Sequence, residues 1–207
     1  MKRTGTPVLL SALVLVTVTG CIVSENAPAL VLGSPEPEET STDATSSRWR
    51  STPVQYCVVP SNAGIVTYDR LVSLIGRAFD EWGAQSSFQG ACQGPVSEGN
   101  GRNEVYWGSL GSPDGPARRA GEAQLRYVAC DACQGIGSYI IEADLVINPE
   151  PPASRRNEAC VFTTLLHEVG HMLGAPHLAP PAVMAPVMDT CPQQLTEADL
   201  RSIARLD

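Results

Sequence analysis

Metal-binding and acid-base side chains are concentrated in one stretch of the chain, His167-Glu168-Val169-Gly170-His171-Met172-Leu173-Gly174-Ala175-Pro176-His177. The protein has 3 histidines, and all of them lie in this stretch. On a helix, residues four apart share one face, so His167 and His171 can direct two imidazole nitrogens at one metal ion. Gly174 can adopt a positive φ at little cost, so it can end the helix and turn the chain back. That turn would bring in His177 as a third ligand.

The ligand set indicates a catalytic rather than a structural metal site. Three neutral ligands with one open position are typical of catalytic zinc, whereas structural zinc is usually closed by four protein ligands. Glu168 follows His167 on the flank of the same face, where it can reach a metal-bound water rather than the metal. Zinc lowers the pKa of such a water towards about 7, and Glu168 can take its proton and pass it to the leaving amine. The pattern predicts peptide-bond hydrolysis with one zinc ion and Glu168 as general base.

This stretch resembles the zinc signature of the metzincin metalloproteases. The resemblance continues in Val183-Met184-Ala185-Pro186, which matches the Met-turn of that family. It implies that Met184 lies beneath the three histidines, with Met188 as the alternative. Among metzincins the chain is most similar to the matrixin-like branch, over roughly residues 50 to 207.

The resemblance also implies an architecture. We expect an α+β fold with a twisted, mostly parallel five-stranded sheet, long helices, and a small C-terminal subdomain below the zinc helix. A protein or peptide substrate would pair as an extended strand with an exposed sheet edge, for which Gln124 to Val128 is the candidate. The side chain after the cut would enter a pocket walled by the Met-turn and residues 185–194.

Local patterns outside the zinc stretch predict a mixture of strands and helices. Strands are expected at four places: Val54 to Val59, Glu104 to Trp107, Gln124 to Val128 and Tyr139 to Ile147. Apolar residues at steps of three and four predict a helix with one buried face: Leu71, Leu74, Ile75, Ala78, Phe79 and Trp82. Thr196 has the form of a cap for a closing helix. The apolar residues that fit this helix are Leu195, Leu200, Ile203 and Leu206.

The first twenty residues have the layout of an export signal, with Lys2 and Arg3 ahead of an apolar run. The run is shorter than the roughly 20 residues that a membrane-spanning helix needs, which argues against that alternative. The sequence Val18-Thr19-Gly20-Cys21 resembles the lipobox of bacterial lipoproteins. The resemblance implies cleavage before Cys21 and a lipid anchor on its thiol. The residue after Cys21 is Ile22 rather than the Asp that retains Gram-negative lipoproteins in the inner membrane. The resemblance therefore favours the outer membrane of a Gram-negative cell envelope, or otherwise the cell surface.

Three segments follow from these patterns: a signal peptide over residues 1–20, a tether over 21–47 and a catalytic domain over 48–207. The tether is rich in Pro, Ser, Thr and acidic residues and cannot bury enough apolar area to fold. A pro-segment that blocks the active site is the alternative for this region. The catalytic domain is expected to act as a monomer.

The charge and the cysteines narrow the function further. A formal net charge of −8 disfavours binding to nucleic acid. Six cysteines besides Cys21 predict disulfides in an exported protein, with Cys160–Cys191 and Cys57–Cys92 as candidate pairs among the fifteen pairings that are open. Cys130-Asp131-Ala132-Cys133 has the spacing of a redox or zinc motif but lacks a partner pair of the same spacing.

Two further metal sites of the matrix metalloproteases and one alternative function have to be considered. No histidine is left for a second, structural zinc, so that ion is predicted to be absent, and calcium binding is left open. The alternative to a membrane-tethered zinc endopeptidase is a catalytically silent lipoprotein that holds zinc and serves in binding or adhesion at the surface. Glu168 separates the two, because a scaffold needs only the ligands whereas hydrolysis also needs the base.

Overall fold

The computed structural model of the protein describes residues 14–17, 47–110, 119–129 and 138–203. Cys21, residues 21–46 of the predicted tether, the Cys130–Cys133 motif and Leu206 lie outside these ranges. No helix in the described part of the chain is long and apolar enough to cross a membrane.

The described residues form one seven-stranded sheet. Its strands in chain order are β1 (Val14–Thr17), β2 (Ser47–Trp49), β3 (Val54–Val58), β4 (Ser86–Ala91), β5 (Glu104–Trp107), β6 (Gly121–Ala129) and β7 (Ser138–Ile147). Their order across the sheet is β1-β6-β7-β5-β3-β4, and β2 pairs with the first residues of β7.

The sheet is mostly parallel, as predicted. Parallel pairs join β3 to β4 and β5, and β7 to β2 and β5. Only β6 runs against its neighbours, β7 on one side and β1 on the other. The sheet has two strands more than the five that the resemblance implied, because the short β1 and β2 add to β6 and β7. Sequence patterns also missed β4, although they placed the other four strands of residues 54–147.

The two long helices form because their ends are capped and their apolar residues share a face. The first helix, α1 (Tyr68–Glu81), begins after Thr67, whose side chain accepts a hydrogen bond from the Arg70 amide. Its buried residues repeat at helical spacing: Leu71, Leu74, Ile75, Ala78 and Phe79. The second helix, α2 (Glu158–Met172), begins after Asn157, which caps the Cys160 amide, and is buried from Cys160 onward.

The helices pack on each other and on the sheet. The ring of Phe79 on α1 stacks on that of Tyr56 on β3, with centroids 5.3 Å apart. Trp82, at the end of α1, donates its indole N–H to the Leu166 carbonyl on α2 over 2.8 Å. Helix α2 in turn contacts β6 and β7. This packing holds the C-terminal half of α2 rigidly below the β6 edge of the sheet.

The chain beyond α2 forms the small C-terminal region that the resemblance implied. Its helix α3 (Glu197–Ser202) begins at Thr196, which makes a capping box with Asp199. Two details of the sequence prediction are wrong: Leu200 is 46% exposed, and Ile203 lies beyond the helix in an extended conformation. The short α3 buries Asp199 rather than a stripe of leucines.

Both candidate disulfides are present. Cys57 is bonded to Cys92, which links β3 to the segment after β4, and Cys160 is bonded to Cys191, which links α2 to the chain before α3. The prediction of disulfides is therefore confirmed for these four cysteines.

Candidate metal centre

The two histidines of α2 lie on its buried face, one turn apart. His167 is 0% exposed and His171 is 1% exposed. The helix ends at Met172, and two residues later Gly174 has a φ of +94°. A Cβ atom at Gly174 would lie 2.2 Å from the Ser47 carbonyl oxygen, so both the conformation and the close approach of β2 require glycine here. The turn brings His177 back beside the helix.

Backbone carbonyls fix the orientation of both buried rings. The Nδ1 of His167 lies 2.7 Å from the Val183 carbonyl oxygen, and the Nδ1 of His171 lies 2.9 Å from that of Ala175. Because a carbonyl oxygen only accepts, each Nδ1 must carry the proton and donate it. In a neutral ring the Nε2 then holds a lone pair, which is the form that binds a metal.

The three Nε2 atoms converge on one point. The Nε2 of His171 lies 3.0 Å from that of His167 and 3.2 Å from that of His177. Since the Nε2 atoms of His167 and His171 both lack a proton, their approach is not a hydrogen bond between them, and a cation between the lone pairs would relieve their repulsion. Nitrogens bound at the usual zinc distance in a tetrahedral site lie about 3.3 Å apart. The donor set therefore fits a zinc ion.

Burial keeps these rings neutral in the protein without metal. Desolvation lowers the pKa of His167 to about 4 and that of His171 to about 3, although the two carbonyls that accept from their Nδ1 atoms oppose the shift. The pKa of His177 is also lowered by burial, although this ring lies at the more open side of the cluster. The ligands are thus ready to bind a cation without first losing a proton.

Glu168 lies fully buried between α2 and β6. Among the described residues, neither of its carboxylate oxygens has a hydrogen-bond partner at ordinary hydrogen-bond geometry, although the Ala123 amide lies close enough to affect its pKa. Burial raises its pKa to about 8 and the Glu122 carboxylate adds to the rise, while the Ala123 amide and Arg119 oppose it. A Cβ atom at Gly121 on β6 would lie 2.7 Å from the Glu168 Oε1. The strand thus approaches this carboxylate as closely as a glycine allows.

The Met-turn residues lie below the histidines and are held by one carboxylate. Met184 is fully buried, and a Cβ atom at Gly170 on α2 would lie 2.4 Å from its Sδ atom. Asp199 accepts hydrogen bonds from the backbone amides of Val183 and Met184, at 3.1 and 3.0 Å. Met188, the alternative Met-turn residue, is only partly buried and lies further along the chain.

A family model described as matrixin matches residues 48–206. The chain belongs to the matrixin family. This confirms the resemblance to matrixin-like metzincins and the predicted fold class, and it indicates a zinc metalloprotease type of function. A search of curated proteins found no match to this matrixin.

Beside the metal centre this matrixin has a cavity between α2 and the segment that follows the Met-turn. Its wall includes Thr163 and Thr164, one helical turn before His167 and Glu168. Met188 and Cys191 line the opposite side, within the range predicted to wall the substrate pocket, whereas the Met-turn residues themselves do not. A Cβ atom at Gly121 would meet both Thr164, which lines the cavity, and Glu168, so the cavity lies close to the candidate base.

The outer edge of β6 is paired in this matrixin, whereas the sequence predicted an exposed edge at Gln124 to Val128. Residues Val14–Thr17 run antiparallel to it, with Thr17 opposite Gln124 and Val14 opposite Tyr127. These residues lie inside the predicted signal peptide. The edge therefore accepts an extended segment in the antiparallel direction.

A second group of potential metal-binding atoms does not form a site. Cys57, Cys92 and Glu104 lie close together, but the two sulfurs are bonded to each other and do not bind a metal as thiolates. The absence of a structural zinc stays a prediction. Cys21 and the Cys130–Cys133 motif lie outside the described residues.

Sequence reasoning missed two residues that shape the centre. Asp199 follows the predicted cap Thr196 by three residues, and the capping pattern gave no sign that its carboxylate also holds the Met-turn. Arg155 was not recognised at all, although its guanidinium donates to the carbonyl oxygens of Met188 and Thr190 beside the cavity. A lone arginine at the end of a short 3-10 helix, Ala153–Arg155, carries no local sequence signal for such contacts.

Proposed function

We propose that this matrixin is an exported zinc endopeptidase, tethered to a membrane, that hydrolyses protein or peptide bonds with Glu168 as general base. The observation that carries the proposal is the convergence of three imidazole Nε2 atoms around α2, the helix that also carries the fully buried carboxylate of Glu168. A silent scaffold has no use for such a carboxylate, because burying it with so little hydrogen bonding costs stability.

The residues of the site have two different roles: the histidines bind a cation and Glu168 moves a proton. His167, His171 and His177 would hold zinc, which supplies a Lewis acid and lowers the pKa of water when bound. The carbonyls of Val183 and Ala175 keep two of these rings in the metal-binding tautomer. Glu168 accepts a proton at its carboxylate and returns it to the leaving amine. Its burial excludes bulk water from that exchange.

The sheet edge and the cavity suit a substrate in extended form. A peptide that pairs with β6 in the direction of β1 would pass Gly121 and so cross above Glu168. The side chain after the cut would then face the cavity beside Thr164. If the signal peptide is removed on export, β1 leaves with it, and the β6 edge becomes free for substrate.

The proposal is tested by separating zinc binding from hydrolysis. We expect purified protein to hold one zinc per chain by elemental analysis and to cleave a peptide library at sites that mass spectrometry maps. Glu168→Gln should keep the zinc but lower the cleavage rate by about 10²–10⁴-fold. The matched control is Glu197→Gln, on an exposed glutamate of α3. Unchanged cleavage by Glu168→Gln, or cleavage that persists in excess chelator, would disprove the mechanism.

The tether is tested separately. Cys21→Ser should release the protein from the membrane fraction of the cells that express it, because the acyl chains are then missing. Sedimentation with membranes that does not change would count against the lipid anchor and leave the hydrolytic activity untouched.

A further inference from the structure

The cavity near Glu168 owes one wall to a short segment that contains no helix or strand and only one bridge residue, Val187. Residues 187–192 lead from the Met-turn towards α3, and Met188 and Cys191 from this segment face Val161 and Thr164 of α2 across the cavity. A segment of this kind keeps its position only if other parts of the chain hold it. The width of the cavity therefore depends on those contacts.

Arg155 supplies three of them. Its Nη1 donates to the Thr190 carbonyl oxygen over 2.8 Å and contacts the Cys191 sulfur at 3.1 Å, while its Nη2 donates to the Met188 carbonyl oxygen over 2.7 Å. The planar guanidinium fixes the directions of these hydrogen bonds relative to one another. One side chain thus holds both ends of the Met188–Cys191 segment.

Two further links join the segment to α2. Cys191 is bonded to Cys160, and the Thr163 hydroxyl donates to the Pro192 carbonyl oxygen over 2.7 Å. The far wall of the cavity is therefore attached to the helix that carries the metal ligands. Movement of either wall would strain the disulfide.

The polar groups that line the cavity are engaged within the protein. Thr164 donates its hydroxyl to the Cys160 carbonyl, and Asn148 donates its amide to Arg119 and accepts from the Glu150 amide. The guanidinium of Arg155 is the single charged group among the cavity-lining residues that the structure describes, and it is bound to two carbonyls. An acidic side chain would have to compete with these bonds, and a basic one would meet a positive charge.

We propose that Arg155 is a positioning residue that, together with the Cys160–Cys191 disulfide, fixes the width of this cavity and so limits the substrate side chain after the cut to an uncharged one of restricted size. The inference rests on the proposed endopeptidase function. It adds the residues that set the selectivity and the reason that an arginine in the pocket does not recognise acids.

The test uses the full-length, zinc-loaded protein and peptides built on one cleavage site that the wild type cuts. The peptides differ only in the residue after the cut, which is Ala, Val, Leu, Phe, Trp, Asp or Lys. We expect wild type to prefer uncharged residues and to discriminate between Leu and Trp. Arg155→Ala should reduce that discrimination by about tenfold, through KM more than kcat, because side-chain size is worth roughly 10–200-fold in such pockets.

Two variants and one physical measurement separate positioning from general structural damage. Arg155→Lys keeps the charge but not the planar fork, so its selectivity should lie between those of wild type and Arg155→Ala. Hydrogen exchange of the amides of residues 187–191 should accelerate in Arg155→Ala. Arg201→Ala, which removes an exposed arginine of α3, should change neither quantity. If Arg155→Ala does not fold, Arg155→Lys and the double variant Cys160→Ala/Cys191→Ala are measured in its place.

The outcomes are distinct. If wild type cuts no peptide, the endopeptidase function fails and this inference fails with it. If wild type cuts but accepts Asp or Lys as well as Leu, or if Arg155→Ala lowers every rate equally and leaves the Leu to Trp ratio unchanged, only the role of Arg155 is disproved. A relaxed ratio in Arg155→Ala with intermediate values for Arg155→Lys supports it.

Discussion

Replacing Asp199 tests how the Met-turn is held. Its carboxylate is fully buried and accepts four hydrogen bonds, from the amides of Val183, Met184 and Thr196 and from the Thr196 hydroxyl, at 2.8 to 3.1 Å. Three of them reach one oxygen, Oδ2, and that of Met184 reaches Oδ1. The variant Asp199→Asn keeps the shape of the side chain but turns one acceptor into a donor.

The cost follows from the number of buried donors left without an acceptor. The best placement of the new amide keeps its oxygen at the position of Oδ2, so its NH₂ group faces the Met184 amide. Two buried donors then oppose each other, and each costs about 1–3 kcal/mol. We expect the free energy of unfolding to fall by about 2–6 kcal/mol. For a domain of this size that lowers Tm by roughly 4–24 °C.

A second effect should reach the metal ligands. The Val183 amide is held by Asp199, and the Val183 carbonyl accepts from the His167 Nδ1. Residues that orient a ligand in this way commonly contribute about 10–100-fold to metal affinity. Asp199→Asn should therefore also weaken zinc binding by about that factor in a competition titration against a chromogenic chelator.

The assay is urea unfolding of the metal-free protein followed by circular dichroism, with Glu197→Ala as control. Glu197 lies two residues away, on the exposed side of α3, where it pairs with Arg201. Because such exposed pairs contribute little, the control should unfold like wild type. An Asp199→Asn protein that is as stable as wild type, or no less stable than the control, would refute the account of the Met-turn.

Three further predictions address packing, pH and metal. Gly170→Ala should destabilise the protein by about 1–3 kcal/mol in urea unfolding, because the new Cβ would lie 2.4 Å from the Met184 Sδ atom, whereas Gly76→Ala has no neighbour closer than 4.0 Å and should stabilise α1. An equal effect of both changes would contradict this. Burial raises the pKa of Asp144 to about 7. Since an unfolded Asp titrates near 4, ionising Asp144 costs the folded state stability as pH rises from about 4 to 7, and Asp144→Asn should lose less stability than wild type between pH 5 and pH 8. If the free energy of unfolding of metal-free wild type and of the variant changed in parallel with pH, that account would be ruled out. Zinc at 100 times its Kd should raise the free energy of unfolding by about 2.7 kcal/mol, and His177→Ala should show a much smaller rise in calorimetry.

Between residues 54 and 147, sequence patterns predicted four strands and missed β4, which depends on its partner strand rather than on a local pattern. In β7 the apolar and β-branched residues of the segment predict a strand, and the run from Glu142 to Ile147 is buried throughout in the structure. Residues Ser86–Ala91 contain no such run and are half-exposed. They form β4 because β3 offers them a parallel partner from Val54 onward. A pairing between segments thirty residues apart leaves no local pattern to read.

The sequence predicted the residues whose spacing itself indicates their chemistry. It missed the role of a residue that acts by holding its neighbours in place. The spacing of the histidines and of Glu168 indicates directly that they are metal ligands and a general base. Asp199 also belongs to a local motif, the capping box with Thr196, and that motif fully accounts for an aspartate at its position. Its bonds to Val183 and Met184 come from folding and add a second role that the sequence does not show.

The contacts around the histidines explain why the metal-binding stretch needs the rest of the C-terminal region. His171 takes its orientation from Ala175, beyond the turn that Gly174 permits, and His167 takes its orientation from Val183 in the Met-turn. The Met-turn in turn depends on Asp199 at the start of α3. Helix α2 alone would therefore present two imidazoles in the correct register but with neither tautomer fixed. Since the lone pairs must face one point before a cation arrives, residues 175–199 are part of the metal site although only one of them is a ligand.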